Sequence, residues 1–238
     1  MNKIYFSVPF FLFLLMSCRN HDLTDQNSSS GNEDEGSVIK KMTSWMSAGS
    51  RKEMGIQEYV KWVENKDNGL KSQRTIDHFL YTVQYQPSQY MVMKDVRDAT
   101  ISQNEMDEKA KEYDPYQFYA FTIKDTTGTD ELLKLDIRSS EEYYARIDYF
   151  SNGMQRNVFL IDDKDTLPCV MFHFERSFGL APECRFMLGF NKSKKNKYEN
   201  SDKVLVYEDN VFGTGIIKIR IDGDQLKKLP LLVMKSGS

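Results

Sequence analysis

Between Asn157 and Ile221, short apolar runs alternate with turn residues so closely that only strands joined by tight connections fit. Asn157–Ile161, Cys169–Glu175, Cys184–Phe190, Val204–Tyr207 and Ile216–Ile221 are rich in β-branched and aromatic side chains. Most of the chain between them is too short to hold a crossover helix, so a parallel βαβ architecture fits poorly and antiparallel pairing is expected. Asp162-Asp163-Lys164-Asp165 reads as a hairpin link between the first two strands. Gly213-Thr214-Gly215 precedes a strand and lacks the following Gly or Lys of a phosphate loop, so it reads as a hairpin turn.

Two further strands lie upstream. From Arg74 to Tyr85 the chain alternates with period two, with Phe79, Tyr81, Val83 and Tyr85 on one face, and Pro87 ends the pattern. Tyr116 to Lys124 alternates again. Helical spacing appears elsewhere. Ser37 caps a segment in which Val38, Met42, Trp45 and Met46 share a face and Gly49 is the stop. Ile56, Tyr59, Val60 and Val63 form a second stripe, with Trp62 beside it and Asp67-Asn68-Gly69 at its end. Gln103 to Tyr113 reads as a charged surface helix, and Ser139 or Ser140 opens another that ends at Asn152-Gly153. Asp222-Gly223-Asp224 begins a last short helix before Pro230. The apolar stripes are expected to dock on the core. The fold class expected is α+β: a mostly antiparallel, sandwich-like or curved sheet of about seven strands with N-terminal and inserted amphipathic helices. One domain is expected over 37–238, helical over 37–69 and mainly β over 74–238.

The N-terminus has a different character. Met1-Asn2-Lys3 is followed by an apolar run from Ile4 to Met16 that would span about 20 Å as a helix, short of the roughly 30 Å a spanning helix must cross. A cationic start, a short apolar run and a polar flank are the layout of a secretory signal over residues 1–17. Leu15-Met16-Ser17-Cys18 resembles the lipobox of bacterial lipoproteins, those of the Bacteroidota among them. The resemblance implies that the signal is cut before Cys18, that its sulfur is diacylated, and that the new amino group is acylated as well. Two or more acyl chains give stable membrane attachment. Residues Arg19 to Gly36 hold Leu23 as their only aliphatic side chain and read as a tether, with a reach of about 20–25 Å as a flexible coil. Arg19 in place of Asp is similar to the pattern that sorts proteobacterial lipoproteins to the outer membrane.

Composition narrows the function. With 32 Lys+Arg against 35 Asp+Glu the net charge is −3, which does not suit a nucleic-acid binder. Three Cys and three His leave little for a disulfide scaffold or a multi-histidine metal centre, and no cofactor is expected.

If Cys169 and Cys184 lie on strands of one hairpin, Cys169 falls opposite roughly residue 191 and Cys184 opposite roughly 176, too far apart to bridge. Both then read as buried thiols. Cys169 and His173 are expected on the same side of one strand, about 13 Å apart, which is no nucleophile–base pair. His78 and His173 read as core or half-exposed residues, and His21 lies in the tether. Asp162, Asp163 and Asp165 lack the central Gly and distal Glu of a calcium loop and read as a solvated turn. Asp165-Thr166-Leu167 resembles the acceptor used for O-glycosylation of exported Bacteroidota proteins, which would modify Thr166. Lys192–Lys197 reads as an exposed loop. Tyr143, Tyr144, Tyr149, Phe150, Phe172, Phe174, Phe178, Phe186 and Phe190 are expected mostly in the core, with no exposed aromatic platform identifiable.

The function expected is therefore that of a lipid-anchored envelope protein with a non-catalytic binding or assembly role. Its membrane contact is Cys18 and its partner is expected to be an envelope protein. The alternatives are glycan binding and a hydrolase whose carboxylates meet only in the fold.

Overall fold

The computed structural model describes residues 51–96, 101–128, 131–177, 181–193 and 201–234. The signal, Cys18, the tether, the stripe at 38–49, Phe178 and most of the lysine run lie outside the described residues. The elements, in chain order, are β1 (Glu53–Met54), α1 (Ile56–Glu64), β2 (Lys71–Ile76), β3 (Phe79–Gln86), α2 (Ser88–Asp95), α3 (Gln103–Tyr113), β4 (Tyr116–Asp125), α4 (Ser140–Asp148), β5 (Val158–Asp162), β6 (Asp165–Glu175), β7 (Glu183–Asn191), β8 (Lys203–Asp209), β9 (Gly215–Ile221), α5 (Gly223–Leu226) and β10 (Leu231–Leu232).

Eight strands form one antiparallel sheet in the order β2-β3-β4-β7-β6-β5-β8-β9, curved until its two edges nearly meet. At the seam Arg74 Nη1 of β2 donates to the Lys218 carbonyl of β9 at 3.1 Å. The interior is aromatic. Tyr81, Phe121 and Tyr207 come from β3, β4 and β8, yet the rings of Tyr81 and Phe121 lie 6.5 and 5.5 Å from that of Tyr207. Phe186, Leu188 and Phe190 of β7 and Ile217, Ile219 and Ile221 of β9 complete it, all buried. The expected α+β class is what the chain forms, with eight strands in the sheet and as a curved sheet rather than a sandwich. No helix among the described residues is long and apolar enough to cross a membrane.

The stretch expected as one strand from Arg74 is a hairpin. It turns at Asp77-His78 between Ile76 and Phe79, with Asp77 at φ 52°. Asp tolerates the left-handed region better than most side chains, because its short carboxylate can bond the local backbone. The expected hairpin at Asp162–Asp165 uses the same device, with Asp163 at φ 56°.

The helices bury their apolar faces in the core. In α1, Tyr59 and Val63 are buried, as their stripe requires, and Gln84 on the outer face of β3 donates to the Val63 carbonyl at 3.1 Å. Pro87 ends β3 but also starts α2, where Tyr90, Met91 and Val92 are buried. A capping box between Ser102 and Glu105 starts α3, which buries Met106 and Ala110. The parallel pair β1–β10 ties the end of the chain to residues before α1. Gly69, at φ 76°, lies where a Cβ would stand 2.4 Å from Gln225 Cγ, so only glycine lets α5 approach.

Candidate functional site

The cysteines fall close to their expected register. Cys169 pairs with Phe190, and Glu175 with Arg185 next to Cys184, so the thiols sit near opposite ends of the β6–β7 ladder, buried and unbridged. Burial pushes the Cys169 thiol up to about 11 and the Cys184 thiol up to about 12.

Cys169 and His173 do not share a face, contrary to expectation. A β-bulge between Cys169 and Met171 inserts Val170 into β6 and shifts the alternation by one residue. Cys169 stays inside, while His173 is exposed on the outer surface. His78 occupies the β2–β3 turn, half-buried against the Phe79 ring at 4.1 Å.

Asp162 is not part of a solvated turn, although Asp163 beside it is exposed. Its carboxylate is buried at one end of the sheet interior, where Oδ1 accepts from Lys203 Nζ at 2.5 Å and from Ser201 Oγ at 2.7 Å. Its Oδ2 accepts from Gln117 Nε2 at 2.9 Å, and Tyr119 OH donates to Gln117 Oε1 at 3.2 Å. Burial raises the Asp162 carboxyl, but the bonds from Lys203, Ser201 and Gln117 outweigh it and hold the group below the usual range. An acid so fully engaged positions strands rather than a substrate. Thr166, four residues on, is exposed at the start of β6.

The opposite end is organised by Asp209. Its carboxylate accepts from the backbone N–H groups of Val211, Phe212 and Thr214 and from Thr214 Oγ1, all within 3.2 Å. These bonds fold the Gly213-Thr214-Gly215 segment into the β8–β9 turn, as expected. Thr214 Oγ1 also meets Tyr81 OH at 2.7 Å, fastening the turn to β3.

A surface cleft of about 480 Å³ lies between the segment before α4 and the first turns of that helix. It is lined by Lys134, Ile137, Arg138, Ser139, Ser140, Tyr143 and Tyr144. Both walls have identifiable supports. Ser139 caps α4 by accepting from Glu142 N, and Arg138 N donates to Glu142 Oε2. Arg146, one turn deeper, aims Nη1 at the carbonyls of Leu132, Leu133 and Leu135 at 3.3, 3.2 and 2.6 Å. Its guanidinium also lies over the Phe212 ring at 5.4 Å. One side chain thus pins the 132–135 wall to α4 and α4 to the β8–β9 turn.

On this braced frame Tyr144 is 67% exposed, with the Tyr143 ring 5.7 Å away at 65°. This aromatic pair was not separable from the core aromatics in the sequence. The only signal was position: the buried Phe150 and half-buried Tyr143, Ile147 and Tyr149 define an inner face of the segment, from which Tyr144 is offset. Lys134 pairs with Glu131 at 3.2 Å while remaining 64% exposed, and Arg138 is exposed. The lining carries two cations, two aromatics and two hydroxyls. It suits binding of a group with an anionic or hydrogen-bonding edge and a flat face.

No protein-family model matches the chain, and no curated protein matches it. A solved structure similar to it is the crystal structure of a protein of unknown function from Burkholderia pseudomallei. That protein is 14% identical with a TM-score of 0.34, over 74% of this chain and 93% of that one. Likeness at that level carries no argument about function.

Proposed function

We propose that the chain is an exported, lipid-anchored envelope protein whose domain binds a protein partner through the α4 cleft and performs no chemistry of its own. The anchor is Cys18, and the outer membrane is its location on the strength of Arg19. The tether holds the domain off the lipid surface. The observation that carries the binding role is Tyr144, a large ring held in water on a braced helix beside Arg138. Tyr and Arg dominate the energetics of protein–protein recognition, because each offers large contact area together with directional hydrogen bonds. A partner presenting an acidic side chain beside an apolar one complements this lining.

Two experiments test the reading. Cys18→Ser should abolish acylation and release the protein from membranes, and continued lipid labelling would sink the anchor. Crosslinking the anchored protein in its own envelope should give a discrete adduct that Tyr144→Ala combined with Arg138→Glu removes. An adduct indifferent to both changes would dismiss the cleft as the interface, and retention on immobilised glycan lost with Tyr144→Ala would move the role to sugars.

A further inference from the structure

The bulge that separates Cys169 from His173 also assembles a set of soft donors on the outer surface of the sheet. Past Val170, Met171 pairs with Gly189 and His173 pairs with Met187. His173 and Met187 are therefore direct cross-strand partners, and Met171 is the next residue on their face. Directly opposed Cβ atoms stand about 4.5–5.5 Å apart and diagonal ones about 7–8 Å, within reach of long side chains. A Cβ at Gly189 would stand 2.9 Å from Met171 Cβ and 3.2 Å from Phe118 Cε1, so the glycine leaves room for the Met171 stem beside the Phe118 ring.

The surroundings favour a ligand. His173 is exposed while Met171 and Met187 are half-buried, giving a reachable imidazole flanked by two partly dry thioethers. Glu175, the next outer residue of β6, faces Arg185 at 4.0 Å, so the neighbouring carboxylate has a cation of its own. Two thioethers and one imidazole are a poor set for calcium, magnesium or manganese, which take oxygen ligands, and a fitting one for Cu(I).

We infer that Met171, His173 and Met187 form a surface site for a soft monovalent metal ion, Cu(I), which Ag(I) can replace as a redox-stable probe. The site is built on β6 and β7 and does not depend on the α4 cleft or on a protein partner. The buried thiols do not compete for the ion, because Cys169 and Cys184 face the interior.

The test uses the full chain carrying Cys18→Ser, so that no free thiol remains outside the core. It is titrated anaerobically with Cu(I) against a bicinchoninate competitor, and with Ag(I) while the methionine methyl signals are followed by NMR. One ion per chain is expected, with the Met171 and Met187 methyl signals moving together. Met171→Leu, Met187→Leu and His173→Ala should each weaken binding by about tenfold or more, the size of effect that disturbing a ligand shell ordinarily has. Leu keeps the volume of Met, so unchanged thermal unfolding should accompany the loss, and Met93→Leu should bind as the parent does. Failure to withhold Cu(I) from the competitor would overturn the site. So would binding that survives all three substitutions, or binding that disappears only with His21→Ala.

Discussion

Lys203 Nζ and Asp162 Oδ1 stand 2.5 Å apart with 4% and 3% of their side chains exposed, an ion pair closed off from water at one end of the sheet. Removing one partner strands the other charge. Asp162→Asn or Lys203→Met should each cost about 3–5 kcal/mol in urea unfolding, whereas the double change Asp162→Leu/Lys203→Met should cost less than the two together, since it strands no charge and leaves only the neutral donors of Gln117 and Ser201 without an acceptor. The pH dependence has a definite sign. The native Asp162 carboxyl is held below its ordinary value, so its contribution is complete above the unfolded-state value of about 3.9 and is lost as the pH falls through the lower native one. The stability gap between the parent and Asp162→Asn should therefore narrow on acidification below about pH 4.

Arg146 braces the cleft through a single nitrogen and three carbonyls. Lysine keeps the charge but not the planar guanidinium that lies over the Phe212 ring. Arg146→Lys should cost about 1.5–3 kcal/mol in urea unfolding and speed hydrogen exchange at the amides of 132–135. An unchanged exchange pattern would mean that the wall holds itself.

Asp209 satisfies the backbone of a whole turn. Asp209→Ala should lower the melting temperature by about 5–10 °C, since it leaves several donors without an acceptor. Thr214→Ala, which removes the hydroxyl but keeps the turn's backbone bonds, should have a smaller effect.

Burial raises both inner thiols to about 11 or above. At pH 8 a disulfide reagent should leave Cys169 and Cys184 unmodified in the native protein and titrate both once urea unfolds it. Rapid native labelling of either would contradict the inward face assigned to it.

Most of the strands were legible because turn chemistry brackets them. The aspartates of the β5–β6 link mark it as a hairpin, while the similar Asp77-His78 turn fits a strand pattern. It lacks the glycine that marks most two-residue hairpins, and His78 fits an alternating pattern as well as a turn. α2 has no distinct signal for a related reason: Pro87 signals the end of a strand as strongly as the start of a helix. The failures at the sites have another origin. Whether Asp162 meets water depends on Lys203 and Gln117, far away in sequence, and no local pattern records that. The face of His173 is set by one bulged residue, which is invisible to a period-two count yet reverses every side chain beyond it. The exposure of Tyr144 is likewise a property of packing, settled by how α4 meets its neighbours.

The Arg74–Lys218 seam joins strands from opposite ends of the folded domain, and this governs the order in which the molecule is made. Every junction from β2 to β8 can form before β9 exists, but the seam must wait until β9 has been synthesised and paired with β8. Closing so long a loop carries a large entropic cost. Held by a side chain rather than by a full ladder, the seam is also where the finished sheet should part first. The last junction to close in folding is then the first to open.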